Sequence, residues 1–106
     1  MHPIVGTWDV RVKTPIGTVA AVYTFAAEPG GGLSGTATAG AETVPLTGIA
    51  VAGATVTWRQ AVTRPMRLNL DFEVVADGDA LTGHSRAGRL PRSSVTGVRQ
   101  APRTAL

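Results

Sequence analysis

Residues that could act as a general acid or base are few, and their spacing separates them from the apolar positions. In a β-strand, successive side chains point to opposite faces. Asp71 and Glu73 alternate with Leu70 and Phe72, and His84 is out of phase with the apolar residues of its own segment. A one-residue bulge would reverse any of these assignments. By simple alternation no carboxylate or imidazole is expected among the apolar side chains, and the sequence leaves the catalytic residues unknown.

A second group of residues shares the apolar faces of these segments and could line a ligand pocket. Pockets for small molecules are mostly apolar and carry a few polar groups that orient the ligand. Tyr23 and Gln60 would supply those polar groups, although both could instead be core residues bonded to neighbouring groups. Met66 could serve simply as a gap filler. The predicted ligand-binding residues are Val10, Tyr23, Trp58, Gln60, Met66, Leu70 and Phe72.

The chain is modestly basic. Its formal net charge is +3 and its pI is about 10.6, and the bases are mostly arginines that become frequent between Arg86 and Arg103. A basic stripe can bind phosphate backbones. Proteins that bind single strands interleave aromatic residues with the basic ones, whereas no aromatic residue follows Phe72 here. We therefore expect no nucleic-acid partner and interpret the arginines as a solvated surface.

Cysteine and histidine usage limits the chemistry further. The chain has no cysteine and only two histidines, His2 and His84, so it has no disulfide framework or thiolate chemistry and is predicted to have no metal site. No cofactor is expected. No stretch approaches the roughly 20 apolar residues that a membrane span needs, and the first residues lack the features of a leader. We expect a soluble, cytoplasmic protein with no membrane partner.

Apolar residues recur with the period of two that is typical of strands, and no segment keeps a period of 3.6. With 106 residues, 43% of them hydrophobic, the chain is predicted to form one domain, 1–106, around a single core. Turn signals such as Asp77-Gly78 separate the strands. Eight strands are predicted, at about 8–13, 19–25, 33–39, 43–52, 55–63, 66–75, 81–87 and 95–100.

A triplet of one apolar residue, one hydroxyl residue and glycine occurs four times, at 33–35, 46–48, 81–83 and 95–97. A second similarity aligns residues 7–15 with residues 57–65, around the two tryptophans. The offset is 50 residues at the tryptophans and 48 residues between the first and third triplets. The chain is therefore interpreted as a two-fold pseudo-repeat with halves 1–53 and 54–101, followed by a frayed tail at 102–106.

The triplets indicate how the strands are arranged. We expect the apolar residue to fill the core, the hydroxyl to face outward, and the glycine to permit the bend that a small barrel needs. Short consecutive strands separated by turns form a meander, which either stays open or closes on itself. The predicted fold is all-β, an eight-stranded antiparallel up-and-down barrel in which the first strand pairs with the last.

Gly6-Thr7-Trp8 opens the first strand, and Thr96-Gly97-Val98-Arg99 closes the last. These two ends resemble those of the calycin superfamily, which comprises lipocalins, fatty-acid-binding proteins and the avidin family. The resemblance implies that Trp8 plugs one end of the barrel and that Arg99 lies over its indole ring. Such a cation–π contact contributes about 0.5–2 kcal/mol.

Among these families the spacing of the strands is most similar to that of avidins. Residues 32–36 resemble the start of the third avidin strand, and residues 54–58 resemble the central avidin strand that carries a tryptophan. Avidins surround biotin with several tryptophans and with polar residues from the first strand. This chain has only Trp8 and Trp58, and its residues 9–11 differ from that polar set. It therefore lacks the biotin-binding residues. It is also shorter than most lipocalins and lacks their packed helix, so retinoid transport is not implied.

Three functions stay open. The leading hypothesis is a binding protein that holds a small, largely apolar molecule in the barrel lumen. The alternative is a small-barrel enzyme of the cyclase or isomerase type, similar in architecture to allene oxide cyclase. Such an enzyme would shape a hydrophobic substrate with help from Tyr23, Gln60 or Ser85. A third reading is a structural domain with a filled core, and the sequence also leaves a homodimer open.

Overall fold

The computed structural model describes residues 3–14, 17–62 and 68–100, except for the side chains of residues 62 and 68. Within these ranges the chain is all-β and contains no helix. The predicted tail at 102–106 and Met66 lie outside the described residues. The strands are β1 (Gly6–Thr14), β2 (Gly17–Ala27), β3 (Leu33–Ala39), β4 (Glu42–Pro45), β5 (Thr47–Ala52), β6 (Thr55–Val62), β7 (Leu68–Asp77), β8 (Ala80–Arg86) and β9 (Ser93–Arg99).

The strands pair antiparallel in the order β4-β3-β2-β1-β9-β8-β7-β6-β5. β1 pairs with β2 along one edge and with β9 along the other, so the first and last strands are hydrogen-bonded neighbours. The β1–β9 register runs from Trp8 opposite Arg99 to Lys13 opposite Ser94. This topology confirms the predicted all-β, antiparallel up-and-down barrel, which is nearly closed.

The described residues form nine strands rather than the eight predicted, because the predicted strand 43–52 is broken at Leu46. Pro45 has no N–H to donate to a ladder, and Gly48 adopts a φ of +60°, outside the range of strands. β4 therefore pairs with β3, whereas β5 pairs with β6 after a register shift. The Leu46 amide still donates to the Gly35 carbonyl at 2.9 Å. The kinked segment thus links the two edges of the sheet and nearly closes the barrel.

The last two triplets, at 81–83 and 95–97, pack large side chains against glycines. Leu81 lies opposite Gly97, and Val95 lies opposite Gly83, in the β8–β9 register. A Cβ built on Gly97 would lie 2.8 Å from the Leu81 Cγ. A Cβ on Gly83 would lie 2.0 Å from the Glu73 carbonyl oxygen. Neither glycine has a positive φ, and at both positions the missing side chain permits a close approach of the neighbouring strand or side chain.

One end of the lumen, which we call the closed end, is densely packed. It is formed by residues 3–5 and by the turns at 53–54 and 78–79, which join β5 to β6 and β7 to β8. Ile4 and Trp8 are both 0% exposed there. Side chains of β6, β7 and β8 that alternate inward complete the packing, as expected for strands with one buried face.

The opposite end, which we call the open end, leaves its inward side chains partly accessible. Val12, Ala21 and Leu70 alternate with outward residues and pack against the core, yet each is only half-buried. Val19, which lies opposite Val12 in the β1–β2 register, is 51% exposed. The lumen is therefore densely packed at its closed end and has an accessible apolar wall at its open end.

Candidate ligand site in the barrel lumen

Trp8 seals the closed end. The first described residues fold back beneath the barrel, and the Trp8 Nε1 donates a hydrogen bond to the Ile4 carbonyl at 2.8 Å. The Arg99 guanidinium lies over the indole, with its Cζ 4.4 Å from the ring centroid. A cation held over tryptophan contributes about 0.5–2 kcal/mol, depending on how far it is desolvated.

Arg99 also ties three separate parts of the chain together at this end. Its Nε donates to the Asp79 carboxylate at 3.1 Å, and its Nη1 donates to the Val5 carbonyl at 2.7 Å. Its Nη2 donates to the carbonyls of Pro3 and Gly78. One planar side chain thus fixes the N-terminal segment and the β7–β8 turn against β9, which only arginine can do with this fork of donors.

Four aromatic side chains fill the middle of the lumen. Trp58 and Phe72, which are cross-strand partners in β6 and β7, stack with centroids 5.0 Å apart and planes inclined by 7°. Phe25 meets Trp58 edge-on at 5.2 Å, and Tyr23 contacts Trp58 and Phe72 at 5.7 and 6.0 Å. Aromatic pairs in such geometries contribute about 0.5–1.5 kcal/mol beyond their burial. The cluster separates the closed end from the open end.

Gln60 organises the polar side of this cluster. It is 7% exposed, and its Oε1 accepts hydrogen bonds from the Tyr23 hydroxyl at 2.8 Å and from the Trp58 Nε1 at 3.1 Å. Because the Oε1 holds two donors, the amide is oriented with its Nε2 donors away from that pair. The Tyr23 oxygen keeps acceptor capacity after donating its proton. Tyr23, Trp58 and Gln60 thus form one hydrogen-bonded polar group in the lumen, which we call the polar floor.

Burial keeps Tyr23 protonated. Desolvation by burial raises its pKa from 10.0 to about 12, and the hydrogen bond to Gln60 lowers the pKa by less than burial raises it. At neutral pH the phenol is therefore a hydrogen-bond donor and not a base.

The raised pKa predicts a loss of stability in alkali. The folded state holds the Tyr23 proton more tightly than the unfolded state, so this contribution is complete below pH 10 and is lost as the pH rises through about 12. One pKa unit corresponds to about 1.4 kcal/mol, so we expect the free energy of unfolding to fall by about 2–3 kcal/mol between pH 10 and 12. Urea unfolding across this range should show the fall in the wild type and a smaller one in Tyr23→Phe.

Tyr23 is the only tyrosine of the chain, so its ionisation can be measured without interference from other tyrosines. Absorbance of the phenolate therefore follows this residue alone. An absorbance midpoint near pH 10 in the folded protein, or equal alkaline losses in the wild type and the phenylalanine variant, would contradict the prediction.

The structure brings most of the residues predicted from the sequence to one lumen. Leu70 is half-buried and lies at the open end, away from the buried members of the predicted set. Ser85 is buried and lies opposite Phe72 in the β7–β8 register. Met66 belongs to the segment 63–67, outside the described part of the chain. The members that are buried are Val10, Tyr23, Trp58, Gln60 and Phe72.

The carboxylates and the imidazole of β7 and β8 lie on the outer face. Asp71 and Glu73 are exposed, and His84 lies opposite Glu73 in the register. The buried polar residues of the described ranges are the neutral Gln60 and Ser85, and each buried side-chain nitrogen or oxygen there has a hydrogen-bond partner.

Sequence reasoning did not find Ile4 as part of the packing around this site. Ile4 precedes the first strand, so strand alternation says nothing about it, although its carbonyl accepts the hydrogen bond of the Trp8 indole. Alternation placed Phe25 on the same strand face as Tyr23, but Phe25 was not among the predicted ligand-binding residues.

Comparison of the chain with protein-family models, with curated proteins and with solved structures finds no significant match. The nearly closed antiparallel barrel is consistent with a calycin-like architecture. In residues 3–14, 17–62 and 68–100, no three histidine, aspartate or glutamate side chains gather as a metal ion would require. No helix in the same ranges is long and apolar enough to cross a membrane.

Proposed function

We propose that the protein is a calycin-like binding protein that holds a small, largely apolar molecule at the open end of its lumen. The observation that supports this is the gradient of burial along the barrel. Trp8, Val74 and Leu81 are at most 1% exposed toward the closed end, whereas Val12, Val19, Ala21 and Leu70 remain accessible at the other. An accessible apolar wall above a floor of oriented polar groups is the usual composition of a small-molecule site.

The floor restricts the chemistry of the ligand. Tyr23 and Gln60 are held by one another and need no ligand to satisfy the two donors at the Gln60 oxygen. The remaining Gln60 Nε2 donors favour a ligand whose inner end carries a hydrogen-bond acceptor, such as a carbonyl or ether oxygen. The apolar body of that ligand would lie against Ala21 and Leu70.

These polar groups favour binding over the cyclase or isomerase alternative. Tyr23 has a pKa of about 12, and the Gln60 amide does not titrate. General acid–base catalysis works best with a group whose pKa lies near the operating pH. A floor of neutral groups instead orients a ligand by hydrogen bonds without moving a proton.

The test uses a neutral apolar probe, N-phenyl-1-naphthylamine, whose fluorescence rises in an apolar site. We expect a saturable rise with the wild type and at least a roughly tenfold weaker affinity for Ala21→Phe, whose ring would occupy the wall. A 1.4 kcal/mol loss of binding free energy corresponds to this factor. Ala20→Phe is the matched control, because Ala20 is the neighbouring residue on the outward face of the same strand.

Comparing the two variants shows whether the probe binds in the lumen or on the outer surface. Circular dichroism and thermal melting would establish that both variants fold. An absence of saturable binding by the folded wild type, or equal weakening in both folded variants, would overturn the proposal.

A further inference from the structure

A groove of about 450 Å³ lies on the outer face of the sheet, across β6, β7 and β8. Six of the ten residues that line it have ionisable side chains. Arg59, Asp71 and Arg86 are cross-strand neighbours on β6, β7 and β8. Glu73 and His84 are the next cross-strand pair on the same face. The residues of the groove that matter here are Arg59, Asp71, Glu73, His84, Arg86 and Arg92.

The charges are not evenly distributed within this groove. On the β6 side, Arg59 donates to Asp71 at 3.1 Å, so these two charges neutralise one another. Both side chains are largely exposed, and the pair contributes little to stability. The side formed by β8 and the β8–β9 connection carries Arg86 and Arg92. Glu73 stands between the two sides, so the groove has a cationic wall and an acidic centre.

The connection that carries Arg92 is held in place by Arg86. The Arg86 Nε donates to the Leu90 carbonyl at 2.9 Å, and the Leu90 amide donates to the Ala87 carbonyl at 3.0 Å. This contact uses only one edge of the guanidinium, which has five donors in all. The structure also separates Arg86, Arg89 and Arg92 from Arg99, which is committed to Trp8 and Asp79 at the closed end.

We propose that this groove is a second site, which binds the phosphate group of a small hydroxylated phosphate ester. Guanidinium groups bind phosphate oxygens through pairs of charge-assisted hydrogen bonds. Arg86 and Arg92 supply that chemistry from the cationic wall of the groove. The groove volume of about 450 Å³ lies within the range of small-molecule sites, roughly 300–1,000 Å³.

Glu73 selects an ester over free phosphate. Its carboxylate accepts hydrogen bonds and repels a second anion, so it suits a hydroxyl group attached to the phosphate rather than the phosphate itself. His84, its cross-strand partner, offers a further donor or acceptor on the same side. We therefore expect glycerol 3-phosphate to bind more tightly than inorganic phosphate.

The experiment is a pair of titrations, with inorganic phosphate and with glycerol 3-phosphate, followed by amide chemical shifts at fixed ionic strength. Wild-type shifts should saturate and map to β6–β8 and residues 87–92. Arg92→Gln should weaken both ligands by about tenfold, the effect of losing roughly 1.4 kcal/mol of charge-assisted hydrogen bonding. Arg89→Gln removes the same charge from the same connection but does not line the groove, and it should change affinity less than twofold.

Glu73→Gln tests the selectivity. It should tighten inorganic phosphate by a few-fold and reduce the preference for glycerol 3-phosphate. Shifts that do not saturate, or equal weakening by Arg92→Gln and Arg89→Gln, would show diffuse attraction to a basic surface and overturn the proposal. Because the lumen probe is neutral, its titration reports on the lumen site independently of this one.

Discussion

Replacing Trp8 by alanine should lower the free energy of unfolding by about 3–5 kcal/mol, the usual cost of truncating a buried aromatic side chain. The indole is 0% exposed, donates to the Ile4 carbonyl and supports the Arg99 guanidinium. Its loss would leave a cavity at the closed end and release the segment that Arg99 ties down. A domain of this size has a total stability of roughly 5–15 kcal/mol, so the variant should unfold at much lower urea concentration.

Two further variants make this prediction specific. Trp8→Phe keeps an aromatic ring but loses the indole donor and part of its volume, so we expect an intermediate loss. Val98→Ala changes the residue next to Arg99 in β9, which is 62% exposed, and should alter stability by less than about 0.5 kcal/mol. Urea unfolding followed by far-ultraviolet circular dichroism measures all three. A midpoint for Trp8→Ala near that of Val98→Ala would mean that the closed end does not depend on the indole.

The strands could be predicted from the sequence because alternation is a local property. In β1, Trp8, Val10 and Val12 alternate with polar residues, and β7 shows the same pattern around Phe72. Alternation leaves a meander either open or closed, and the prediction of closure rested on the repeated triplets and on the calycin resemblance of the two ends. The break at Leu46 was not predicted, although Pro45 and Gly48 carried the signal. Both residue types interrupt a ladder, and their effects lie three residues apart within one apolar segment.

The geometry of the lumen depends on distant residues and could not be predicted. Alternation says that Tyr23 and Gln60 point inward, but they are 37 residues apart, and only the folded barrel brings the hydroxyl to the amide oxygen. The contrast between a closed and an open end is likewise a property of the whole barrel. The two-fold pseudo-repeat stays a prediction.

The outer groove also could not be predicted, because it depends on the pairing of distant residues. Its charged residues in β6, β7 and β8 look in the sequence like ordinary outward positions of strands. Asp71 comes between Arg59 and Arg86 only through the registers of β6 with β7 and of β7 with β8. A slip of one residue in either ladder would turn the charges of the shifted strand to the other face.

Replacing Gly83 by alanine should destabilise the barrel by about 3 kcal/mol, at the upper end of the usual range for overpacking. The new methyl group would lie 2.0 Å from the Glu73 carbonyl oxygen and 2.6 Å from the Val74 Cα. Both atoms belong to the backbone of β7, so no change of rotamer can relieve the overlap. β7 and β8 would have to move apart, which weakens the hydrogen bonds between them.

The other glycines of the chain provide a graded series for this test. At Gly97 an added methyl group meets the side chains of Leu81 and Val10, which can adjust, so Gly97→Ala should cost about 1–2 kcal/mol. At Gly30 the same group meets no atom within 4 Å and φ is not positive, so Gly30→Ala should be neutral or stabilising by about 0.4–1 kcal/mol. Urea unfolding should rank the three losses in the order Gly83, Gly97, Gly30. A Gly83 variant as stable as the Gly30 variant would show that β7 and β8 do not approach as closely as this packing requires, and that the recurring triplet has some other cause.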